Sequence, residues 1–326
     1  MNKIICGDAL ECLKELPPES VQMCVTSPPY YGLRDYGVNG QLGNEQSPFE
    51  YIKNLVDVFK EVKRVLKKDG TLWINIADSY AGSGKGIVDT PISERPPKIQ
   101  PQYYEKTGSY FGMPKTWERI KAKDMIGIPW LLAFALRDDG WYLRSDIIWH
   151  KTNCMPESVK DRPSKCYEHI FLLSKSAKYY YDCEAIKEPV SENTLMRNKR
   201  AVTDKNKYAV GMEHSKVGKQ GLFAPRSFTI EYTTRNKRDI WACSTNSRKV
   251  DGHYAIYPEK LIEPCILAGC PIGGVVLDTF FGSGTTGAVA KRLGRQYIGI
   301  ELNPEYCKTA QKRIDETEVM TFGNTN

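Results

Sequence analysis

Short apolar segments alternate with amphipathic helical segments along most of the 326-residue chain. Buried strands joined by crossover helices produce this pattern, which predicts a doubly wound, Rossmann-like α/β fold. The predicted strands, seven in number, cover residues 4–6, 21–26, 71–77, 142–149, 169–173, 274–278 and 296–301. The predicted helices cover residues 9–16, 49–66, 129–137, 258–267 and 304–314, with one more beginning at Thr285.

Two segments interrupt this alternation. Residues 81–123 are rich in Gly, Pro and Lys and lack apolar periodicity, which predicts a mobile insertion. Residues 185–250, the basic lobe, carry 14 Lys and Arg against 6 Asp and Glu, enough to account for the whole formal charge of +7. A local basic field favours a polyanionic partner such as DNA, although charge alone also fits a solvated surface.

The cysteine and histidine pattern excludes several other classes of protein. The ten cysteines include no CxxC pair, and the four histidines form no metal-ligand spacing with them. The amino-terminal segment lacks a long apolar stretch with a cleavage site, and no apolar run reaches membrane-spanning length. We therefore expect a reduced, cytoplasmic protein that has no metal site and no membrane partner.

A glycine-rich turn follows the apolar run that ends at Asp278. Gly282, Gly284 and Gly287 have GxGxxG spacing between a predicted strand and a predicted helix. Such glycines let the backbone come close to a bound nucleotide. Glu301 ends the next predicted strand, where its carboxylate can accept hydrogen bonds from ribose hydroxyls. This context predicts a nucleoside cofactor, but the motif alone fits NAD, FAD and S-adenosylmethionine equally.

The sequence Ser27-Pro28-Pro29-Tyr30 directly follows another predicted strand. Because the prolines fix the backbone, the Ser27 hydroxyl and the Pro28 carbonyl can act as rigid acceptors, and Tyr30 offers a face for stacking. These groups suit methylation of an exocyclic amine, whose lone pair is delocalised into the base. Hydrogen bonds from the two amine protons favour a pyramidal nitrogen aimed at a sulfonium methyl group. A base in a duplex must be flipped out to reach them.

These two motifs resemble those of the site-specific DNA amino-methyltransferases. Residues 27–30 are similar to the catalytic S/D/N-P-P-Y/F motif, and residues 278–286 to the family's D-P-F-x-G-S-G-T-T motif, with Thr279 in place of Pro. The catalytic motif comes first, the circularly permuted order called the β group. The resemblance implies S-adenosyl-L-methionine as cofactor and double-stranded DNA as partner. It divides the chain into a catalytic part (1–184), a target-recognition lobe (185–250) and a cofactor-binding part (251–326).

The resemblance also assigns site residues. Residues 7–10 and 253–261 are similar to the family segments around the cofactor's adenine and methionine parts. The implied catalytic residues are Ser27, Pro28, Pro29 and Tyr30. The implied cofactor-binding residues are Asp8, Ala9, His253, Tyr257, Pro258, Asp278, Phe280, Gly282, Ser283, Gly284, Thr285, Thr286, Glu301 and Asn303. The predicted DNA contacts are Arg34, Lys199, Arg200, Arg235, Lys237 and Arg238.

The first residue of the catalytic motif bears on the target base. In the family, Ser usually accompanies cytosine N4 methylation and Asp or Asn accompanies adenine N6 methylation, so Ser27 favours cytosine, with adenine as the alternative. Carbon-5 methylation needs a thiolate on the catalytic loop, whereas here Cys24 lies inside the preceding strand. An RNA substrate, a nicotinamide-dependent dehydrogenase and a non-catalytic DNA-binding regulator also stay open. In a restriction–modification system, a cognate restriction endonuclease would be a separate partner; protection of phage or host DNA is the related role.

Overall fold

The computed structural model is built on an eight-stranded sheet. It describes residues 2–33, 38, 40–81, 120–196, 233–245 and 257–319. The strands are β1 (Lys3–Cys6), β2 (Val21–Thr26), β3 (Leu66–Ile76), β4 (Tyr142–Lys151), β5 (Tyr167–Ser174), β6 (Glu188–Pro189), β7 (Thr234–Arg235), β8 (Ile240–Cys243), β9 (Val275–Asp278) and β10 (Gln296–Glu301). The order in the main sheet is β1-β10-β9-β2-β3-β5-β4-β8, and β6 pairs with β7 separately.

The strand directions bring several chain ends to one edge of the sheet. Strands β1, β10, β9, β2 and β3 are mutually parallel, whereas β5 is antiparallel to both of its neighbours, β3 and β4. The carboxyl ends of the parallel strands, the carboxyl end of β4 and the amino end of β5 therefore share an edge. Because β2 and β9 are adjacent, the loops that follow them emerge side by side.

Two groups of helices cover the sheet. They are α1 (Ala9–Lys14), α2 (Pro48–Val65), α3 (Ile128–Asp138), α4 (Glu259–Gly269), α5 (Thr285–Arg292) and α6 (Pro304–Asp315), with a 3₁₀ turn at Glu184–Ile186. Helices α1 and α3 both pack against α2, and α4 and α6 both pack against α5. Cys24 and Leu72 join the core under α2. Their strand neighbours Met23 and Trp73 lie against Gly269 at the end of α4, as strand alternation requires.

Helix α2 illustrates how the local sequence determines where a helix begins and which face it buries. Ser47 accepts a hydrogen bond from the Glu50 amide at 3.1 Å, and Pro48 occupies the first helical turn, where it costs no hydrogen bond. Leu55, Phe59 and other apolar residues at helical spacing are buried against the sheet. The helix therefore begins at its cap and packs through one apolar face.

The seven predicted strands are all present, with boundaries shifted by a few residues, and the α/β fold is confirmed. The prediction missed the two-residue strands β6 and β7, and it missed an eighth strand of the main sheet, β8, which pairs in parallel with β4 at the end of that sheet. This strand, Ile240–Cys243, is four residues long and lies within the segment predicted as the basic lobe, so the apolar pattern did not single it out.

The chain divides into two compact units, Met1–Asp182 with Asp239–Asn326, and Cys183–Arg238. Strand β8 belongs to the first unit. Residues Ile240–Cys243 therefore pair within the main sheet, and the division of the chain at residues 184 and 250 stays a prediction.

The predicted insertion at 81–123 lies mostly outside the described residues. At its margins, Tyr80 and Met125 form an isolated antiparallel bridge. None of the helices in the described ranges combines the length and the apolar character needed to cross a membrane.

Candidate active site

A cavity of about 430 Å³ opens at the shared edge of the sheet. The residues predicted from the sequence that line it are Asp8, Ala9, Ser27, Pro28, Pro29, Tyr30, Tyr257, Phe280, Gly282, Ser283, Thr285, Glu301 and Asn303. Further lining residues that were not predicted include Asn75, Trp149, Lys151, Glu168 and Thr245. The catalytic motif and the cofactor motif, far apart in the chain, thus form one site.

Hydrogen bonds hold the loop that follows β2. The buried Tyr51 of α2 donates its hydroxyl to the Pro29 carbonyl at 2.7 Å, and Ser79 donates to the Tyr31 carbonyl at 3.3 Å. Within the described part of the chain, no hydrogen bond to the Pro28 carbonyl is found. The loop is therefore anchored on both sides of a carbonyl that can accept a hydrogen bond from a substrate.

A polar network surrounds the Tyr30 side chain. Its hydroxyl donates to Glu168 Oε2 at 2.5 Å and lies 3.4 Å from Asn75 Oδ1. Burial and the adjacent Glu168 carboxylate raise the pKa of Tyr30 well above its ordinary value, and the Ser27 side chain acts in the opposite direction. Glu168 is itself bonded to Asn75 Nδ2 at 3.0 Å and paired with the Lys151 ammonium. Tyr30 is therefore a neutral phenol at physiological pH.

Asp278 is the centre of the glycine-rich turn. Its Oδ1 accepts from Thr26 Oγ1 at 2.6 Å and from the Phe280 amide at 3.1 Å. Its Oδ2 accepts from Thr286 Oγ1 at 2.5 Å and from the Tyr257 hydroxyl at 2.8 Å. Burial raises the pKa of Asp278, and these four hydrogen bonds oppose that shift. Asp278 is fully buried and is not among the residues that line the cavity, so in this structure its hydrogen bonds organise the turn.

Glu301 does line the cavity. Its Oε2 accepts from the Gly282 amide at 2.7 Å, and its Oε1 accepts from the Asn303 amide at 2.9 Å. Burial raises the pKa of Glu301 above its ordinary value. Each carboxylate oxygen keeps a further lone pair for a ligand. A carboxylate of this kind, beside apolar walls such as Phe280, fits the ribose and base of a nucleoside.

Gly284 has a structural role in the turn. Its φ of 78° lies in the left-handed region, and a Cβ placed there would come within 2.8 Å of the Ala310 Cβ in α6. Gly284 is thus required by the turn and by the close packing of α6, and it is not among the cavity residues. Two other predicted cofactor contacts, Pro258 and Thr286, also lie outside the lining.

Of the predicted DNA contacts, Arg235, Lys237 and Arg238 fall within the described part of the unit Cys183–Arg238. Arg235 Nε and Arg238 Nε both donate to Glu188 Oε1, at 2.9 and 3.1 Å. The Glu188 carboxylate therefore neutralises part of the positive charge of these two guanidinium groups. Arg34, Lys199, Arg200 and the predicted cofactor contact His253 lie outside the described residues.

The sequence held a signal for the polar residues that were missed. Asn75 interrupts the apolar run Leu72–Ile76 within β3, and Glu168 is an acidic residue at the start of β5; both are buried. A buried polar residue in a strand needs partners, and here the partners are one another and Lys151. Cys24, in contrast, is fully buried within β2, and burial raises the pKa of its thiol well above the ordinary value.

Comparison with known proteins agrees with this geometry. A family model described as DNA methylase, covering N6 and N4 enzymes, matches residues 21–312. The chain is 46% identical to the type II methyltransferase M.SmaI of Serratia marcescens, with coverage of 96% of this chain and 90% of that protein. It is 44% identical to the type II methyltransferase M.Cfr9I of Citrobacter freundii, with coverage of 96% and 88%.

Two solved structures share the fold. The cytosine-N4-specific PvuII DNA methyltransferase superposes with a TM-score of 0.61 at 19% identity, over 98% of this chain and 88% of that one. A Thermus thermophilus protein described as a DNA modification methylase, in complex with S-adenosyl-L-methionine, superposes with a TM-score of 0.56 at 21% identity. The match covers 97% of this chain and 94% of that one.

The fold and the cavity define an S-adenosylmethionine-dependent methyltransferase. The chain belongs to the N6/N4 DNA methylase family. Its cofactor is S-adenosyl-L-methionine, and its substrate is DNA. The dehydrogenase and the non-catalytic regulator are thereby set aside.

Gly284→Ala should lower the free energy of unfolding by about 1–3 kcal/mol, because the left-handed backbone and the contact with Ala310 both oppose a side chain. Gly127→Ala is the matched control, since Gly127 also has a positive φ but has no atom within 4 Å of the place that a methyl group would take. Urea unfolding of both variants measures the difference. Equal losses of stability in the two variants would show that the packing against α6 is unimportant.

S-adenosylmethionine binding should weaken as the pH falls through the raised pKa of Glu301. Protonation removes the negative charge and acceptor capacity that hold the ribose hydroxyls, so affinity is full above that pKa and lost below it. Titration calorimetry between about pH 5 and pH 8 measures this. Glu301→Gln should bind more weakly at the upper end and show a flatter profile. A wild-type affinity that does not change with pH contradicts this role.

Proposed function

We propose that this protein transfers a methyl group from S-adenosylmethionine to the exocyclic N4 of a cytosine that is flipped out of duplex DNA. The observation that carries the proposal is the single cavity that contains both the Ser27–Tyr30 loop and the Glu301 cradle. A methyl donor held beside Glu301 and a base held at the loop would lie within one enclosed space.

The residues of the loop supply positioning and electrostatics. Bound S-adenosylmethionine provides a sulfonium-activated methyl group. Ser27 Oγ and the Pro28 carbonyl accept hydrogen bonds from the two amine protons, which favours a pyramidal nitrogen with its lone pair directed outward. Tyr30 contributes a ring face against the base, an interaction worth about 1–3 kcal/mol per base. The chain needs no nucleophile for this transfer.

Three observations support cytosine N4 as the target. Ser27 occupies the motif position at which Ser usually accompanies that chemistry. A protein with the same fold, PvuII DNA methyltransferase, is described as cytosine-N4-specific. The thiol of Cys24, which carbon-5 chemistry would need, is buried and kept protonated. Adenine N6 is the alternative target within the family.

The product identifies the base. Nucleoside mass spectrometry of duplex DNA treated with the purified enzyme should show N4-methylcytosine. Ser27→Ala should lower kcat about 10- to 100-fold with little change in cofactor or DNA affinity, because the missing hydrogen bond is strongest in the transition state. N6-methyladenine alone would replace cytosine with adenine in the proposal. The appearance of 5-methylcytosine would overturn the mechanism.

The biological context follows from the relatives. M.SmaI and M.Cfr9I are both named type II methyltransferases. We propose that this enzyme likewise protects DNA in a restriction–modification system, with a cognate restriction endonuclease that acts as a separate protein.

The unit Cys183–Arg238 is the proposed DNA-docking element. Lys237 and Arg238 lie at its carboxyl-terminal end, and the Arg238 side chain is 68% exposed. Cations in such a position can pair with backbone phosphates, which gives affinity that depends on salt. The shared contact with Glu188 fixes the Arg238 guanidinium for such pairing.

Reversal of Lys237 and Arg238 to Glu should weaken duplex binding and make its salt dependence shallower, by about one unit of slope for each phosphate that is no longer paired with a cation. Fluorescence anisotropy at several salt concentrations measures this, and cofactor affinity should stay unchanged. The double reversal of Lys53 and Lys60 to Glu, two exposed lysines of α2, changes the net charge by the same amount and is the control for total charge. If the two double reversals have the same effect, this segment does not dock DNA.

A further inference from the structure

Arg313 lies behind the glycine-rich turn and has no part in the chemistry proposed above. It belongs to α6, its side chain is 20% exposed, and it is not among the residues that line the cavity. Its Nη1 donates to Thr285 Oγ1 at 2.7 Å and to Ser283 Oγ at 3.4 Å. Thr285 and Ser283 do line the cavity, and both are buried. An arginine outside the cavity is thus bonded to two hydroxyl groups that belong to its wall.

The packing of α6 against the turn places Arg313 in this position. A Cβ at Gly284 would come within 2.8 Å of the Ala310 Cβ, so the close approach of α6 needs a residue without a side chain. Arg313 follows Ala310 by three residues and therefore lies on the same face of α6. Its Nη2 donates to Glu259 Oε1 of α4 at 2.8 Å. The planar guanidinium group is thus fixed at both of its ends, with one end directed at Thr285.

The hydrogen bond between Arg313 and Thr285 can have only one direction. A guanidinium group donates and never accepts, so the Thr285 oxygen must be the acceptor. The hydroxyl has a single proton, which must then be directed to another group. Among the residues that the structure describes, neither Thr285 nor Ser283 donates its hydroxyl to a protein acceptor. The Thr285 proton is therefore available to a ligand in the cavity.

The ion pairs around Arg313 contribute orientation and little net charge. Arg313 and Arg292 share the Glu259 carboxylate, and Arg292 is also paired with Glu263 at 3.2 Å. Two guanidinium groups therefore balance two carboxylates. The effect of this cluster on the cavity is consequently an oriented hydroxyl donor, not a positive field.

Only some groups of S-adenosylmethionine fit such a donor. The ammonium group of its methionine part carries no lone pair and cannot accept, whereas the carboxylate of that part is purely an acceptor. The ribose hydroxyls are matched by the lone pairs of Glu301, next to the Gly282 amide. The adenine nitrogens can accept, but they are uncharged, and hydrogen bonds to a charged acceptor are about twice as strong. The carboxylate is therefore the group that best fits the oriented hydroxyl.

We propose that Arg313 is a positioning residue for the cofactor, which orients the Thr285 hydroxyl as a donor to the methionine carboxylate of S-adenosylmethionine. A hydroxyl that could otherwise rotate presents its proton before the cofactor binds, and this lowers the cost of binding. The ribose and the carboxylate then have separate partners in the cavity, Glu301 and Thr285. The inference concerns the cofactor and does not depend on which base is methylated.

Titration calorimetry of Arg313→Met with two ligands tests this proposal. S-adenosylmethionine carries the carboxylate, whereas methylthioadenosine keeps the adenine and the ribose but lacks the amino-acid part. The variant should bind S-adenosylmethionine roughly 5- to 30-fold more weakly, and its affinity for methylthioadenosine should change by less than about 2-fold. Arg292→Met is the matched control, because Arg292 is bonded to the same Glu259 but to neither hydroxyl. Both of its affinities should equal those of the wild type.

A double-mutant cycle with Thr285→Val tests whether Arg313 acts through the hydroxyl. Val keeps the size of the side chain and removes the donor, so Thr285→Val should weaken S-adenosylmethionine binding to a similar extent. In that background, Arg313→Met should add less than about 2-fold, because the two changes remove one interaction. Thermal unfolding shows whether each variant is folded. If Arg313→Met does not fold, Thr285→Val decides alone, and wild-type affinity for S-adenosylmethionine in it overturns the proposal.

Two further results would contradict the inference. Equal losses of affinity for S-adenosylmethionine and methylthioadenosine in Arg313→Met would show that Arg313 does not act on the methionine part. Independent effects of Arg313→Met and Thr285→Val would show that it does not act through the hydroxyl. Neither result bears on transfer to cytosine, because the methylated product tests that separately.

Discussion

A buried hydrogen bond from Thr26 to Asp278, 2.6 Å long, joins the two halves of the active site. Thr26 is the last residue of β2 and Asp278 is the last residue of β9, and these strands are parallel neighbours. Because both strands end at the same level, the catalytic loop and the glycine-rich turn leave the sheet together. The same carboxylate accepts from Tyr257 and Thr286, so the cofactor side of the cavity depends on it as well.

The two sides of the cavity use buried carboxylates for different purposes. Glu301 accepts hydrogen bonds from two backbone amides and lines the cavity. Both oxygens of Asp278, in contrast, accept hydrogen bonds from four donors within the protein. Glu168 is held by the side chains of Tyr30, Asn75 and Lys151. Burial makes each of these contacts stronger than it would be in water, and it also makes an unpaired member costly. The site is therefore preorganised by the sheet before substrate arrives.

Local sequence predicted the features that local physics determines. The strand pattern, the glycine turn and the Pro-Pro loop are each contiguous in the chain, and Ser27 and Gly282 from the last two of these features line one cavity. Contacts between distant strands had no such signal. Asn75 and Glu168 meet because β3 and β5 pair antiparallel in a particular register, which apolar patterning does not specify. For the same reason the full occupation of Asp278 by four donors could not be anticipated.

The number of charged residues in the sequence likewise did not predict which of them form ion pairs. The excess of cations in the basic lobe is a property of composition, but the sharing of Glu188 by Arg235 and Arg238 is a property of the fold. Strand β8 was overlooked because its four hydrophobic residues directly follow the charged residues of the basic lobe. The central claim is that the Ser27 loop receives a flipped base beside the methyl donor. A crystal structure with S-adenosylhomocysteine and cognate duplex DNA tests it most directly. We predict an extrahelical cytosine with its N4 about 3 Å from Ser27 Oγ; a target base still stacked in the duplex, or one bound away from Ser27, would contradict it.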